Sequence, residues 1–236
     1  MITKSSRYTL WLWLFLLTAS ACQQNSPVEQ LPYQNIPGLP HQVPEAWLMA
    51  HIDVETTGLI PGYHEMIDIG VVYTDLQGQI LDSLFLRIQP KYPLRMDSGA
   101  YRVNNFNPQL WEQLGAVSID QAVDSLKLFH AQVAGQNPVL MVAYNSYFDA
   151  AFLDHLFREA QASWRELYYY FVLDLPSMAW SLGFKDLSSQ ELMKLYQIQD
   201  EPHVAELHTG ITGAMKNVRI YQALMKHQQT QLKPED

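Results

Sequence analysis

The sequence predicts one α/β domain built on a mixed sheet flanked by helices, and three observations predict it. Ala46 to Ile52 is mostly apolar and reads as a buried strand, ending at two carboxylates, Asp53 and Glu55. Glu65 to Asp75 alternates and is rich in β-branched residues; after Leu76-Gln77-Gly78-Gln79 a second strand-like run covers Ile80 to Gln89, so the two form an antiparallel hairpin. Val139 to Ala143 is short and wholly apolar, which suits a central strand buried on both faces. Strand, hairpin, helix, buried strand and further helices in that order give a mixed sheet with helical layers.

Before this domain the chain carries two other kinds of segment. Lys4 and Arg7, the apolar run Leu10 to Leu17 and the small residues Thr18-Ala19-Ser20-Ala21 form a processing signal over residues 1–21. The run is far short of the ~20 apolar residues a spanning helix needs. Cys22, the only cysteine, follows directly, so no disulfide can form within one chain. A small-residue cluster ending at a lone Cys resembles a bacterial lipoprotein signal, which implies lipidation at Cys22 and membrane anchoring in the cell envelope. Ala19 stands where such signals carry Leu, which leaves an ordinary signal peptide and a secreted or periplasmic protein as the alternative. Residues 22–44, with Pro27, Pro32, Pro37, Pro40 and Pro44 among polar residues, read as an extended tether. The folded domain is expected over 45–228, with a polar tail at 229–236.

Within the domain, a stretch rich in Pro and Asn from Pro90 to Pro108 reads as a loop containing Tyr101 and Phe106. Ser118 caps a helix running to about Ala134, with Ile119, Ala122, Val123, Leu126, Phe129 and Val133 at helical spacing. Another helix follows Asn145 and buries Phe152, Leu153, Leu156 and Phe157. Tyr168 to Leu173 is a candidate strand, and short helices are expected around Pro176–Leu182 and Ser188–Tyr196. A last helix runs from about His208 to His227, with Ile211, Ala214, Val218, Tyr221, Leu224 and Met225 on its inner side.

Charge limits the partners. The chain has 15 basic and 24 acidic residues, and Lys4 and Arg7 lie in the signal, so the chain beyond the signal carries 13 against 24. A body this acidic is a poor match for salt-dependent gripping of duplex nucleic acid. A short strand held locally through metal ions is compatible with it.

The chemistry starts at Asp53 and Glu55. Residues i and i+2 of a strand point to one face, so both acids look into one small volume. A hard divalent cation resolves their repulsion; a pair of solvated acids before a Thr-Thr-Gly turn is the other reading. Asp149, in the first turn of a helix after a buried strand, is either a helix-dipole acid or an acid at the ligand-binding end of the sheet.

Asp53-Val54-Glu55-Thr56-Thr57-Gly58 resembles the first motif (DxETTG) of the DEDD 3′–5′ exonucleases, which have the RNase H-like fold. Asn145 to Asp149 resembles the second motif (Nx₃D). His208 resembles the histidine of the third motif of the "h" branch (HxAxxDA), with His203 a weaker competitor. The resemblance spans about Ala46 to Leu224. It implies two-ion phosphodiester hydrolysis with Mg²⁺ or Mn²⁺, Asp53, Glu55 and Asp149 as metal ligands and His208 as the general base. It also implies that Thr56, Thr57, Gly58 and Leu59 pack on the terminal nucleotide, with Asn145 and Tyr147 beside it; Phe148 is assigned to the core. The chain departs from the pattern at Gly213, where the family carries a fourth carboxylate, and Glu206 is a candidate replacement.

These readings imply a metal-dependent 3′–5′ exonuclease acting on short single-stranded DNA or RNA and releasing nucleoside 5′-monophosphates. The alternatives are a non-catalytic protein that binds nucleotides or nucleic acid, and a lipoprotein that reuses the fold for protein contact.

Overall fold

The computed structural model describes residues 36–200 and 208–231. The processing signal, Cys22, His203 and Glu206 lie outside the described residues. Of the stretch read as a tether, residues 36–44 are described, and they are seated on the domain rather than extended away from it. Ile36 and Val43 pack against a core cluster, and Trp47 Nε1 donates to Gly38 O at 2.8 Å. Apolar side chains between the prolines account for the difference.

Strands β1 (Leu48–Thr56), β2 (Met66–Asp75) and β3 (Ile80–Arg87) come first. Helices α1 (Ser98–Asn104), α2 (Pro108–Gln113) and α3 (Ile119–Val133) follow, then β4 (Val139–Ala143), α4 (Ser146–Glu159) and β5 (Val172–Asp174). Helices α5 (Leu175–Ser181), α6 (Ser189–Tyr196) and α7 (Gly210–Gln231) complete the chain. The five strands form one sheet in the order β3-β2-β1-β4-β5. β2 is antiparallel to β1 and to β3, while β4 and β5 run parallel to β1. This is the mixed five-stranded sheet with helices on both faces that the sequence predicts.

Several stretches differ from expectation: the strand read over Tyr168 to Leu173 is confined to Val172–Asp174, and α2 forms where no helix was read. The Pro- and Asn-rich segment read as a loop contains α1, because Asp97 caps it by accepting from Gly99 N and Ala100 N. Seven residues are too few to show helical periodicity. At the other end, α7 runs to Gln231, three residues into the segment read as a polar tail.

Strand alternation divides the core. Ala50, Ile52 and Val54 of β1 enter a cluster with Ile69, Val71 and Tyr73 of β2, Met141 of β4, and the inner faces of α3 and α4. Ser118 and Gln121 close a capping box at the start of α3. On the opposite face Met49 joins Leu140, Val142 and residues Ile220, Tyr221 and Leu224 of α7. α7 therefore lies across β1 and β2 on the face that also bears His51, Asp53 and Glu55.

Candidate active site

Both acids of the first motif sit on β1, and the neighbours of that strand decide what surrounds them. Register places Asp53 opposite Gly70 and Glu55 opposite Asp68 on β2. Paired residues share a face, so Asp53, Glu55 and Asp68 all look toward α7.

The helix comes unusually close. A Cβ built at Gly210 would lie 2.5 Å from the backbone oxygen of Asp53 and 2.6 Å from Gly70 N. A Cβ at Gly213 would lie 2.1 Å from Asp53 Oδ2. Neither position accepts a side chain unless its neighbour moves. Gly213, singled out in the sequence, thus stands directly against the first acid of the site.

Asp149 arrives from the other side of the sheet. The last β1–β4 rung is His51 with Val142, and beyond it Asp149 Oδ1 accepts from Val54 N at 3.1 Å. The carboxyl is therefore fixed to the peptide lying between Asp53 and Glu55. Asn145, with φ 64° in the left-handed region, turns the chain from β4 into α4, and Asp174 Oδ1 accepts from Ser146 N at 3.0 Å to hold that turn. Asp149 is 3% exposed. Its pKa is raised well above the ordinary value, chiefly by burial; Glu55 and Asp174 add to this, while its own backbone N–H and that of Val54 oppose it.

His208 lies two residues before α7. Its Nε2 is 3.0 Å from Glu55 Oε1. Asn104 Nδ2 donates to Glu55 Oε2 at 3.4 Å and, better placed, to Thr56 O at 3.0 Å. Residues 53, 55, 149 and 208, far apart in sequence, thus meet around one end of β1.

The Thr-Thr-Gly segment is framework. Thr56 Oγ1 donates to Gly58 O at 2.7 Å, and Thr57 Oγ1 accepts from Glu65 N at 2.9 Å. Thr56, Thr57 and Gly58 are buried, and the ring of His64 packs where a side chain at 58 would go. Leu59 is the exposed member of the four, at 78%. Across the site mouth Asn145 is exposed and Tyr147 is 71% exposed. Phe148 packs on the core and against the Phe152 ring at 4.8 Å, in keeping with its sequence assignment.

Sequence reasoning missed Asp68. It is 1% exposed; Oδ1 accepts from Gly210 N at 2.9 Å, and among the described residues Oδ2 has no hydrogen-bond partner. Burial raises its pKa to about 7, with Glu55 adding and Gly210 N–H, Arg87 and His208 opposing. The signal was an acid flanked by Ile67 and Ile69 at an inward position of an alternating strand. Asn104 was missed as well, because its helix was hidden in the presumed loop.

The donors fit a hard divalent cation in chemistry. They are carboxylate oxygens that concentrate negative charge, and that surplus already leaves one buried oxygen, Asp68 Oδ2, unsatisfied. Among the described residues no three His, Cys, Asp or Glu side chains converge on a cation-sized point. Glu55 is turned to His208 instead.

No family model matches the chain, and no curated protein matches it in sequence. Solved structures match in fold. Exonuclease I of E. coli, in complex with a dA16 oligonucleotide, superposes with a TM-score of 0.62 at 14% identity over 78% of this chain and 41% of that one. The moderately thermophilic exonuclease I of Methylocaldum szegediense gives 0.63 at 15% identity over 77% and 41%. The nuclease domain of 3′hExo, a DEDDh family member bound to rAMP, gives 0.61 at 12% identity and is covered over 92% of its length by 76% of this chain. The chain thus spans about two-fifths of exonuclease I but nearly all of that nuclease domain. The fold is RNase H-like.

Proposed function

We propose that this protein is a metal-dependent 3′–5′ exonuclease acting on short single-stranded nucleic acid. The observation that carries the reading is the meeting of Asp53, Glu55, Asp149 and His208 at one end of β1, with Asp149 bonded to the peptide between the first two acids. Asp53, Glu55 and Asp149 would hold Mg²⁺ or Mn²⁺. When bound, the ions supply Lewis-acid polarisation of the scissile phosphate and charge stabilisation of the attacking and leaving oxygens.

The protein's own groups account for the proton. His208 accepts a proton from the attacking water at the ring nitrogen that Glu55 does not hold, and Glu55, 3.0 Å from Nε2, stabilises the imidazolium that forms. The water oxygen bonds to phosphorus, the P–O3′ bond breaks, and the leaving 3′ oxygen takes a proton from solvent. The products are a nucleoside 5′-monophosphate and a strand shorter by one residue. Exposed Leu59 and Tyr147 offer apolar and aromatic surface for the terminal base. The acidic body favours substrates gripped at their end over long duplexes.

Lipidation at Cys22 would place this activity at the membrane of a bacterial envelope. Among the described residues no helix is long and apolar enough to cross a membrane, and Cys22 lies outside them.

Gly213 favours a second reading, binding without cleavage, because no carboxylate stands at that position beside Asp53. One assay separates the two. The fragment from Gln23 to Asp236 is incubated with a 5′-labelled single-stranded oligonucleotide in Mg²⁺ and then Mn²⁺, beside Asp53→Ala. A 3′-shortening ladder that disappears in the variant supports hydrolysis. Folded protein that binds the oligonucleotide and gives no ladder in either metal supports the second reading.

A further inference from the structure

Glu55 and Asp68 are cross-strand partners on adjacent strands, and each grips the segment that opens α7. Glu55 takes the side chain of His208 at 3.0 Å. Asp68 takes the backbone N–H of Gly210, two residues further on, at 2.9 Å. Residues two apart at the start of α7 are thus held by two acids facing each other across a ladder.

The attachment by Asp68 is costly, which is why it requires a reason. A carboxyl at 1% exposure, one oxygen of which has no partner among the described residues, is destabilising by itself. What the acid provides is an acceptor oxygen at the first N–H of a 22-residue helix, one of the donors that has no partner within the helix. It also fixes the helix start along β2, where a side chain at Gly210 would meet Asp53 O and Gly70 N.

We propose that Asp68 is a positioning residue: it locks Gly210 to β2 and so sets where His208 meets Glu55. The proposal rests on His208 as the proton acceptor of the exonuclease reading. It assigns Asp68 no contact with substrate. The acceptor oxygen is what matters to the role, and the charge is secondary.

Two variants with the same heavy-atom branching test it. Asp68→Asn keeps an oxygen that can accept from Gly210 N–H; Asp68→Leu, branched at the same atom, does not, and folds often tolerate an apolar residue in place of a buried acid. Amide hydrogen exchange at Gly210 and steady-state kinetics on the oligonucleotide in Mn²⁺ are read on the full fragment. Expected for Asp68→Leu are faster exchange at Gly210 and a kcat lower by roughly 10- to 100-fold at unchanged KM, the penalty of a misplaced proton acceptor. Expected for Asp68→Asn is near-native behaviour in both. Unchanged Gly210 exchange in Asp68→Leu overturns the proposal, as does an equal loss of kcat in both variants. A wild type without activity defeats the exonuclease reading instead, and the exchange comparison still decides whether the clamp exists.

Discussion

The two faces of β1 are made from alternate residues of one nine-residue strand, and they do opposite things. Ala50, Ile52 and Val54 enter a dry apolar core under α3 and α4. His51, Asp53 and Glu55 face α7 across a seam where glycines replace side chains. The apolar face stores the hydrophobic stabilisation. The other accepts buried acids, an unpaired carboxylate oxygen and a helix backbone pressed onto the sheet. Stability and chemistry are separated here by one residue of register, so neighbouring substitutions are expected to have unlike consequences.

The largest contrast is between Asp53 and Ile52. Asp53→Asn is expected to abolish the metal-dependent 3′-shortening ladder and the rise in melting temperature produced by Mn²⁺, with the metal-free melting temperature changed little. Ile52→Ala removes a fully buried side chain and is expected to cost about 2–5 kcal/mol in denaturant unfolding. Its folded fraction should keep full activity per molecule. If Asp53→Asn melts the domain, or Ile52→Ala silences it while folded, the two faces are not independent.

A smaller effect probes the seam itself. Gly213→Asp would set a second carboxylate against Asp53 Oδ2, where the added Cβ alone lies 2.1 Å away. Like charges and the displaced Asp53 side chain lower metal-free stability. A divalent cation relieves both, so Mn²⁺ should bind more tightly than to wild type by calorimetry. No gain in affinity would show that position 213 does not share a cation with Asp53.

The same division explains what could be read from the amino acids. The apolar face was legible: Ala122, Val123, Leu126 and Phe129 repeat at helical spacing, and Val139 to Ala143 is unbroken, because burial of a whole face leaves a local pattern. That Asp53, Glu55, Asp149 and His208 meet at one end of β1 was legible through the motifs they resemble. Asp68 was not, since its pairing with Glu55 depends on a register between positions thirteen residues apart, and no local pattern encodes that. Nor was the fit of Gly70 against Gly210, which joins β2 to α7 across 140 positions of sequence. Asn104 escaped because a single Asp97 cap, rather than periodicity, makes its helix.

The smallest effect is a pH dependence that tests whether the apolar side is as dry as its packing suggests. His130 of α3 shares a 2.7 Å hydrogen bond with the Tyr73 hydroxyl, and burial lowers its pKa from 6.5 to about 4. His51, fully buried on the other face, is lowered to about 3 by the same cause. Above pH 6.5 both are neutral in either state, and their packing contributes in full. Below it the unfolded chain takes up protons that the folded protein refuses, so stability falls as pH drops from 6.5 toward 4. Asp68 and Asp149 work in the opposite direction, because their raised values let the folded protein bind protons that the unfolded chain releases. The slope of the wild type alone is therefore mixed. The difference between wild type and His130→Asn isolates the histidine. Measured by urea unfolding at intervals from pH 8 to pH 4, the two curves should run parallel above pH 6.5. Below it the wild type should lose ground to the variant, by up to one proton's worth of slope. Curves that stay parallel throughout would mean that water reaches His130 in the folded state, and that the apolar face is open at α3.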